Sequence, residues 1–282
     1  MFTLAGHQIE AVSVAGVETC FQLPALDLAF DIGRCPDGAE RLSTLLLTHG
    51  HIDHAAGLPY YVAMRDLVGA PPPRVFAPQE AVEALRDILA AWHRLQGATE
   101  CEIKPVRPGD EIALGSGHLA RAFRSPHRIA CCGYTISSRK KKLRPDLAGR
   151  STQEIAALAR GGEEVNVTVE QPEICFPGDT LADVIDLEPS VRKARLLLLE
   201  CSFVGPDVDV AFARRRGHVH LDEIAARADA FENEVILLTH LSRRHRPEDV
   251  ARALSSLPPR LASRTWALLG GAAVPASRGA TA

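Results

Sequence analysis

No stretch of the chain approaches the roughly 20 consecutive apolar residues that a membrane-spanning helix requires, which excludes such a helix. The first residues lack a basic segment followed by an apolar run and a small-residue cleavage site, so no secretory signal is expected. Cys-x-x-Cys pairs are also missing. The seven cysteines (Cys20, Cys35, Cys101, Cys131, Cys132, Cys175 and Cys201) are scattered and odd in number, which points to reduced thiols and a cytoplasmic setting. There is no excess of positive charge: 32 Lys and Arg stand against 35 Asp and Glu, a net charge of −3. The chain as a whole is therefore no basic glove for nucleic acid, and any such partner needs a local patch. One run offers it, Arg139-Lys140-Lys141-Lys142-Leu143-Arg144. Repeats of 20–50 residues are lacking, which excludes solenoids and propellers.

What remains is an ordinary globular composition, with 46% apolar and 24% charged residues over a length of 282. Residues 9–14, 17–23 and 26–31 read as short strands, with Pro24 separating the last two. Leu45-Leu46-Leu47 reads as a buried strand that opens directly into a histidine-rich loop. Residues 78–96 turn helical, with Val82, Leu85, Leu89 and Trp92 on one face. Ser151-Thr152-Gln153-Glu154 has capping-box spacing and predicts a helix to about Arg160. Residues 174–176, 196–199 and 235–238 are further buried-strand candidates, and 221–231 and 247–257 are candidate helices. Strands leading into helices in both halves imply α/β layers around one core. Residues 271–282 are expected to be a disordered tail.

The chemistry concentrates in Thr48-His49-Gly50-His51-Ile52-Asp53-His54. Three imidazoles and a carboxylate in six residues exceed what one tetrahedral site takes from so short a segment, and sharing between two adjacent metals relieves the crowding. The remaining ligands must come from afar. His127, Asp179 and His240 each sit where a buried strand empties into a loop, the context in which α/β sheets place their sites. Of the eleven histidines, His7, His93 and His118 lack that context and are expected to be ordinary surface or core residues. Glu200 closes the apolar run 196–199, where an unpaired carboxylate would be costly. A histidine from Gly217-His218-Val219-His220 would satisfy it and form a proton-transfer pair. An arginine partner of purely structural purpose is the alternative.

These residues together resemble the metallo-β-lactamase superfamily, and more narrowly the short form of ribonuclease Z, the tRNA 3′-processing endonuclease. Carrying the likeness are the strand-end Asp31 in Phe30-Asp31-Ile32-Gly33, the loop from Thr48 to Tyr61, and His127 through Tyr134. Pro177-Gly178-Asp179-Thr180, Glu200-Cys201-Ser202, Gly217-His218 and Leu238-Thr239-His240-Leu241-Ser242 complete it. The resemblance implies a four-layer αβ/βα sandwich over residues 1–270. It also implies two divalent metal ions, zinc being favoured by the nitrogen-rich ligands, with iron or manganese as alternatives. One would be held by His49, His51 and His127, the other by Asp53, His54 and His240. Asp179 would bridge them and Asp31 would support them. His218, oriented by Glu200, would be the general acid, and Asp53 counts with the catalytic set. The implied activity is removal of the 3′ trailer from precursor tRNA, gripped through Arg139, Lys140, Lys141, Lys142 and Arg144, by a homodimer. A sister hydrolase of small phosphodiesters, thioesters or lactones is the rival reading, and a non-catalytic metal-loaded sensor or RNA-binding module a more distant one. The sequence departs from the family at Cys131-Cys132, Cys201-Ser202 and Arg244-His245. The Gly/Pro-rich tRNA-gripping arm of many bacterial members is not evident between Tyr134 and Asp179.

Overall fold

A computed structural model describes residues 1–276. Fifteen strands are present among them: β1 (Phe2–Leu4), β2 (His7–Val14), β3 (Glu18–Leu23), β4 (Leu28–Phe30), β5 (Thr44–Leu46), β6 (Arg74–Pro78), β7 (Glu102–Val106), β8 (Glu111–Gly115), β9 (His118–Arg124), β10 (Cys132–Leu143), β11 (Asn166–Phe176), β12 (Leu196–Glu200), β13 (Val235–Thr239), β14 (Thr265–Leu269) and β15 (Ala272–Pro275). The helices are α1 (Ile52–Ala55), α2 (Leu58–Leu67), α3 (Gln79–Gln96), α4 (Thr152–Arg160), α5 (Val184–Leu187), α6 (Pro189–Lys193), α7 (Val210–Arg216), α8 (Leu221–Ala225), α9 (Pro247–Ser255) and α10 (Pro259–Ala262).

The strands form two mixed sheets, β1 to β7 in sequence order and β15 to β8 in reverse order. Strands β4 to β7 run parallel, as do β11 to β14. The sequence shows why the sheets stack. Leu196 and Leu198 of β12 face the other sheet, in a core with Phe21, Phe30, Tyr134 and Phe176. Their neighbours Leu197 and Leu199 face the opposite way, into a core with Val191, Leu221, Ile224 and Leu254 from helices. A strand buried on both faces reads as a continuous apolar run rather than an alternating one. A third core joins the first sheet to α2 and α3 through Leu45, Tyr61, Val62, Leu85 and Leu89. Helix, sheet, sheet, helix is the expected four-layer αβ/βα sandwich, and each fully buried leucine contributes about 1.5–3 kcal/mol to it.

Four details differ from the sequence reading. The histidine-rich loop is helical from Ile52 and again from Leu58, with Pro59 in the first turn of α2. Trp92, placed with Val82, Leu85 and Leu89 by spacing, is 48% exposed. It joins Ile52 and Ile88 in an apolar groove of about 340 Å³ instead of entering the core. The expected tail begins with an edge strand, β15, which pairs with β14 from Ala272↔Leu269 to Pro275↔Trp266 and so satisfies its backbone. The rest of that expectation, 277–282, lies outside the described residues. Lastly, an arm is present. Among the described residues, residues 140–143 pair only with 166–169, as a two-stranded ribbon past the end of β9, while Arg139 still donates its backbone N–H to the Gly117 carbonyl at 2.8 Å. The ribbon carries α4, which has the expected Ser151–Glu154 capping box and buries none of its residues.

Candidate metal and phosphodiester centre

Seven strand ends and loops converge on one point. β4 delivers Asp31, β5 the segment 48–54, β9 His127, β11 Asp179, β12 Glu200 and β13 His240, while the end of α7 delivers His218. Two of these residues adopt left-handed backbone without being glycine, Asp31 at φ 55° and His240 at φ 57°. Such conformations persist where the surroundings over-determine them, and they are common at functional sites. Gly178 is required on two counts. Its φ is 68°, and a Cβ there would stand 2.7 Å from Thr48 Cβ.

The imidazoles are oriented from behind. His49 Nδ1 lies 3.0 Å from Thr48 Oγ1, His54 Nδ1 2.8 Å from Asp31 Oδ2, His127 Nδ1 2.9 Å from the Gly217 carbonyl, and His240 Nδ1 3.0 Å from Ser202 Oγ. Each therefore turns Nε2 inward. Asp31 is itself held by the Thr48 backbone N–H at 2.7 Å and the Thr48 hydroxyl at 2.9 Å. Asp179 divides its two oxygens between the groups that face it. Oδ2 lies 3.7 Å from His49 Nε2 and 4.0 Å from His127 Nε2. Oδ1 lies 3.2 Å from His54 Nε2 and 3.4 Å from His240 Nε2. Asp53 Oδ2 stands 3.3 Å from His240 Nε2 and accepts from the Gly16 N–H at 2.7 Å.

Two clusters of ligand atoms result: His49, His51, His127 and Asp179, and beside it Asp53, His54 and His240. These residues fit divalent metal. Asp179 Oδ1 is buried with no N–H aligned to donate to it, although two ring nitrogens stand 3.2 and 3.4 Å away, a costly state for a carboxylate oxygen unless a cation meets it. Four of the five histidines have their outer nitrogen engaged, the arrangement that fixes tautomer and aim in metal sites. Burial and neighbouring imidazoles hold His49 well below the usual histidine range, and burial likewise lowers His51 and His127. Neutral rings are what a metal needs. Against burial, Asp179 and Asp31 push His54 well above its usual range. His240 and His54 hold Asp179 well below the carboxylate range in spite of its burial.

Glu200 finds a histidine, as its position at the end of an apolar strand predicts. Its Oε1 accepts from His218 Nδ1 at 2.9 Å and from the Thr180 N–H at 3.1 Å. Its Oε2 accepts from the Ser202 N–H at 3.1 Å and the Ser202 hydroxyl at 2.9 Å. Burial lowers the His218 pKa, but the Glu200 charge and hydrogen bond, with Asp179 and Asp53 beyond, raise it to about 9. Dications in the adjoining clusters would act in the opposite sense. A third grouping of Asp179, His218 and His240 is close enough for a metal. With Nδ1 held by Glu200, His218 instead presents Nε2 to the approach.

The sequence reading missed Ser202, which joins Glu200 to His240 through one hydroxyl, and Thr48, which ties Asp31 to His49. Their signal was position alone, each adjoining a named residue. His7, His93 and His118 fall outside the centre. His7 faces Glu173 at 3.8 Å and His93 bonds Thr99 at 3.0 Å. His220 caps α8, and His245 accepts from the Val204 N–H at 3.2 Å. In the basic run, Arg139 pairs with Glu111 at 3.0 Å and Arg144 with Asp146 at 2.7 Å. Lys140, Lys141 and Lys142 are exposed on the ribbon, with no carboxylate partner among the described residues.

Residues 25–241 match the family described as the beta-lactamase superfamily domain, and the chain belongs to that superfamily. A narrower placement follows from two plant relatives. The chain is 37% identical to tRNase Z TRZ1 of Arabidopsis thaliana, over 95% of this chain and 97% of the relative. It is 34% identical to the chloroplastic tRNase Z TRZ2 of the same plant, over 95% and 77%. Within the superfamily, the chain belongs to the tRNase Z family. The fold resembles the solved human tRNase Z, short form, with a TM-score of 0.56 at 20% identity over 84% of this chain and 93% of the other.

Proposed function

We propose that this protein is a metal-dependent endoribonuclease that removes the 3′ trailer from precursor tRNA by hydrolysing one phosphodiester. The observation that carries it is the Glu200–His218 pair, 2.9 Å apart, beside a carboxylate whose two oxygens face two histidine clusters. His49, His51 and His127 would hold one divalent ion, Asp53, His54 and His240 the other, and Asp179 both. Zinc suits the nitrogen-rich set, with iron or manganese as alternatives. When bound, such a pair of ions supplies water of lowered pKa and offsets charge on the phosphate oxygens.

The chain's own residues do the rest. Asp31, Thr48 and Ser202 fix the imidazoles, so the centre needs little reorganisation during reaction. His218 keeps its Nδ1 proton on Glu200 and gives its Nε2 proton to the leaving 3′ oxygen. The tRNA then ends in a 3′-hydroxyl and the trailer begins with a 5′-phosphate. Lys140, Lys141 and Lys142 of the ribbon grip phosphates of the tRNA body, with Arg139 and Arg144 beside them.

The apolar groove between Ile52, Ile88 and Trp92 supports a homodimer, since large side chains exposed together mark interaction surfaces. No helix among the described residues is long and apolar enough to cross a membrane. Seven free cysteines support a reducing, cytoplasmic location. The test offers purified protein 3′-extended pre-tRNA, bis-p-nitrophenyl phosphate and a thioester, each with and without chelator. Chelator-sensitive cleavage of pre-tRNA after the discriminator nucleotide, the unpaired residue that follows the acceptor stem, is expected. Turnover of the thioester alone would overturn the reading in favour of a sister hydrolase.

A further inference from the structure

Next to His218 lies a cluster with no part in the proposed mechanism. The Phe203 ring is 6.3 Å from the His218 ring and meets Phe212 edge-on at 5.7 Å. Three guanidinium groups lie over these two rings. Arg244 stands 5.3 Å from the Phe203 centroid and 5.8 Å from that of Phe212, while Arg215 and Arg216 stand 5.9 and 5.3 Å from that of Phe212. All three arginines are exposed, and none has a carboxylate within 4.0 Å among the described residues. Their neighbour Arg214 behaves differently and pairs with both Asp183 and Glu223 at 2.7 Å. In a chain of net charge −3, three unneutralised guanidiniums on one aromatic pair concentrate positive charge that only an external anion relieves. A guanidinium laid on a ring keeps its N–H edge free for phosphate and its outer face free for a base.

We propose that Phe212, Arg215, Arg216 and Arg244 form a single-strand RNA contact that seats the nucleotide immediately 5′ of the scissile bond. This rests on the endoribonuclease reading, and it adds where the departing end lies. The oxygen that leaves must reach His218, so the nucleotide carrying it lies on the His218 side of the centre, against these rings. Arg215 and Arg216 take phosphates on its 5′ side, and its base stacks on the guanidinium–phenyl layer. Stacking tolerates any base, since every base has a π-face. Cleavage therefore tolerates all four bases at that position but requires that one be present.

The test uses full-length, metal-loaded protein and 3′-extended pre-tRNA carrying either a normal or an abasic nucleotide 5′ of the cleavage site. In wild type the abasic substrate should lose about 5- to 160-fold in kcat/KM, the range of base–aromatic stacking. In Phe212→Leu that penalty should shrink to less than about two-fold. The double variant Arg215→Gln/Arg216→Gln changes exposed side chains only, so it reads the surface even where Phe212→Leu loosens the Phe203 contact. It should lower the slope of log kcat/KM against log salt by about 1.4, from ~0.7 per single-strand phosphate. An abasic penalty absent in wild type, or equal in wild type and Phe212→Leu, or an unchanged salt slope in the arginine variant, would overturn the assignment. Wild type that leaves the normal pre-tRNA uncut would instead refute the endoribonuclease reading itself.

Discussion

In the buried centre almost every polar atom is engaged by another, whereas the lysines on the ribbon have no carboxylate partner among the described residues. Ser202 Oγ serves Glu200 and His240 at once, and Asp31 serves Thr48 and His54. Lys140, Lys141 and Lys142 project from a ribbon whose outer half joins only β10 to β11 among the described strands. Only the ribbon's foot is tied down, by Arg121, Arg139, Glu111 and Glu170 in one ion-pair network and by Glu173 between Ser138 and Arg195. The contrast separates two tasks. A fixed centre sets which bond is broken, because charge stabilisation needs dipoles aimed in advance. Under the proposed function, a projecting arm with free cations would set which RNA arrives, because counterion release depends on charge and reach more than on fixed geometry.

That division can be broken experimentally, and the largest effect is expected at the centre. Asp179→Ala removes the carboxylate that faces both clusters. It should lower turnover of pre-tRNA and of bis-p-nitrophenyl phosphate alike by ~10³-fold or more, with metal content falling in elemental analysis. Loss on one substrate only would show that Asp179 does not serve the chemistry. Lys140→Ala/Lys141→Ala/Lys142→Ala should act on the other task. The slope of log binding constant against log salt for pre-tRNA should fall by about 2 to 3. Its loss in kcat/KM for RNA should exceed that for the small phosphodiester by roughly ten-fold or more. Unchanged RNA binding would remove the ribbon from substrate recognition. The smallest effect concerns the ribbon's foot. Ser138 and Arg195 hold Glu173 below its usual pKa despite burial, so its stabilisation is full above the ordinary glutamate range and fades as acid protonates it. Glu173→Gln should cost about 1 kcal/mol near neutrality. Urea unfolding should show the two proteins converging as pH falls; a constant gap would assign the cost to packing.

The same contrast explains what the sequence made legible. His49, His51, Asp53 and His54 are local, so their chemistry is written in one segment. His127, Asp179 and His240 became readable because each ends a buried apolar strand. Glu200 stood out because a carboxylate closing Leu196–Leu199 demands a partner. Ser202 and Thr48 were not legible as hubs, since a hydroxyl's role depends on what distant segments bring to it. The arm escaped notice for a related reason. Its strands hold together through backbone pairing and ion pairs, with no buried face past Ser138, so no apolar alternation marks them. α7 and the Phe203–Phe212 contact fell in a stretch of arginines without helical apolar spacing. Trp92 fitted its helix periodicity and still lies in a surface groove, because spacing reports which face a residue is on and not what covers it.

The central claim is that His218, held by Glu200, protonates the leaving oxygen of an RNA. A p-nitrophenolate anion leaves without a proton, whereas a ribose 3′ oxygen needs one. The most direct measurement compares kcat of wild type and His218→Ala on 3′-extended pre-tRNA and on bis-p-nitrophenyl phosphate, at matched metal content. The account predicts a loss of ~10²–10⁴-fold on the RNA and a far smaller one on the activated diester. Equal losses on both substrates would contradict it.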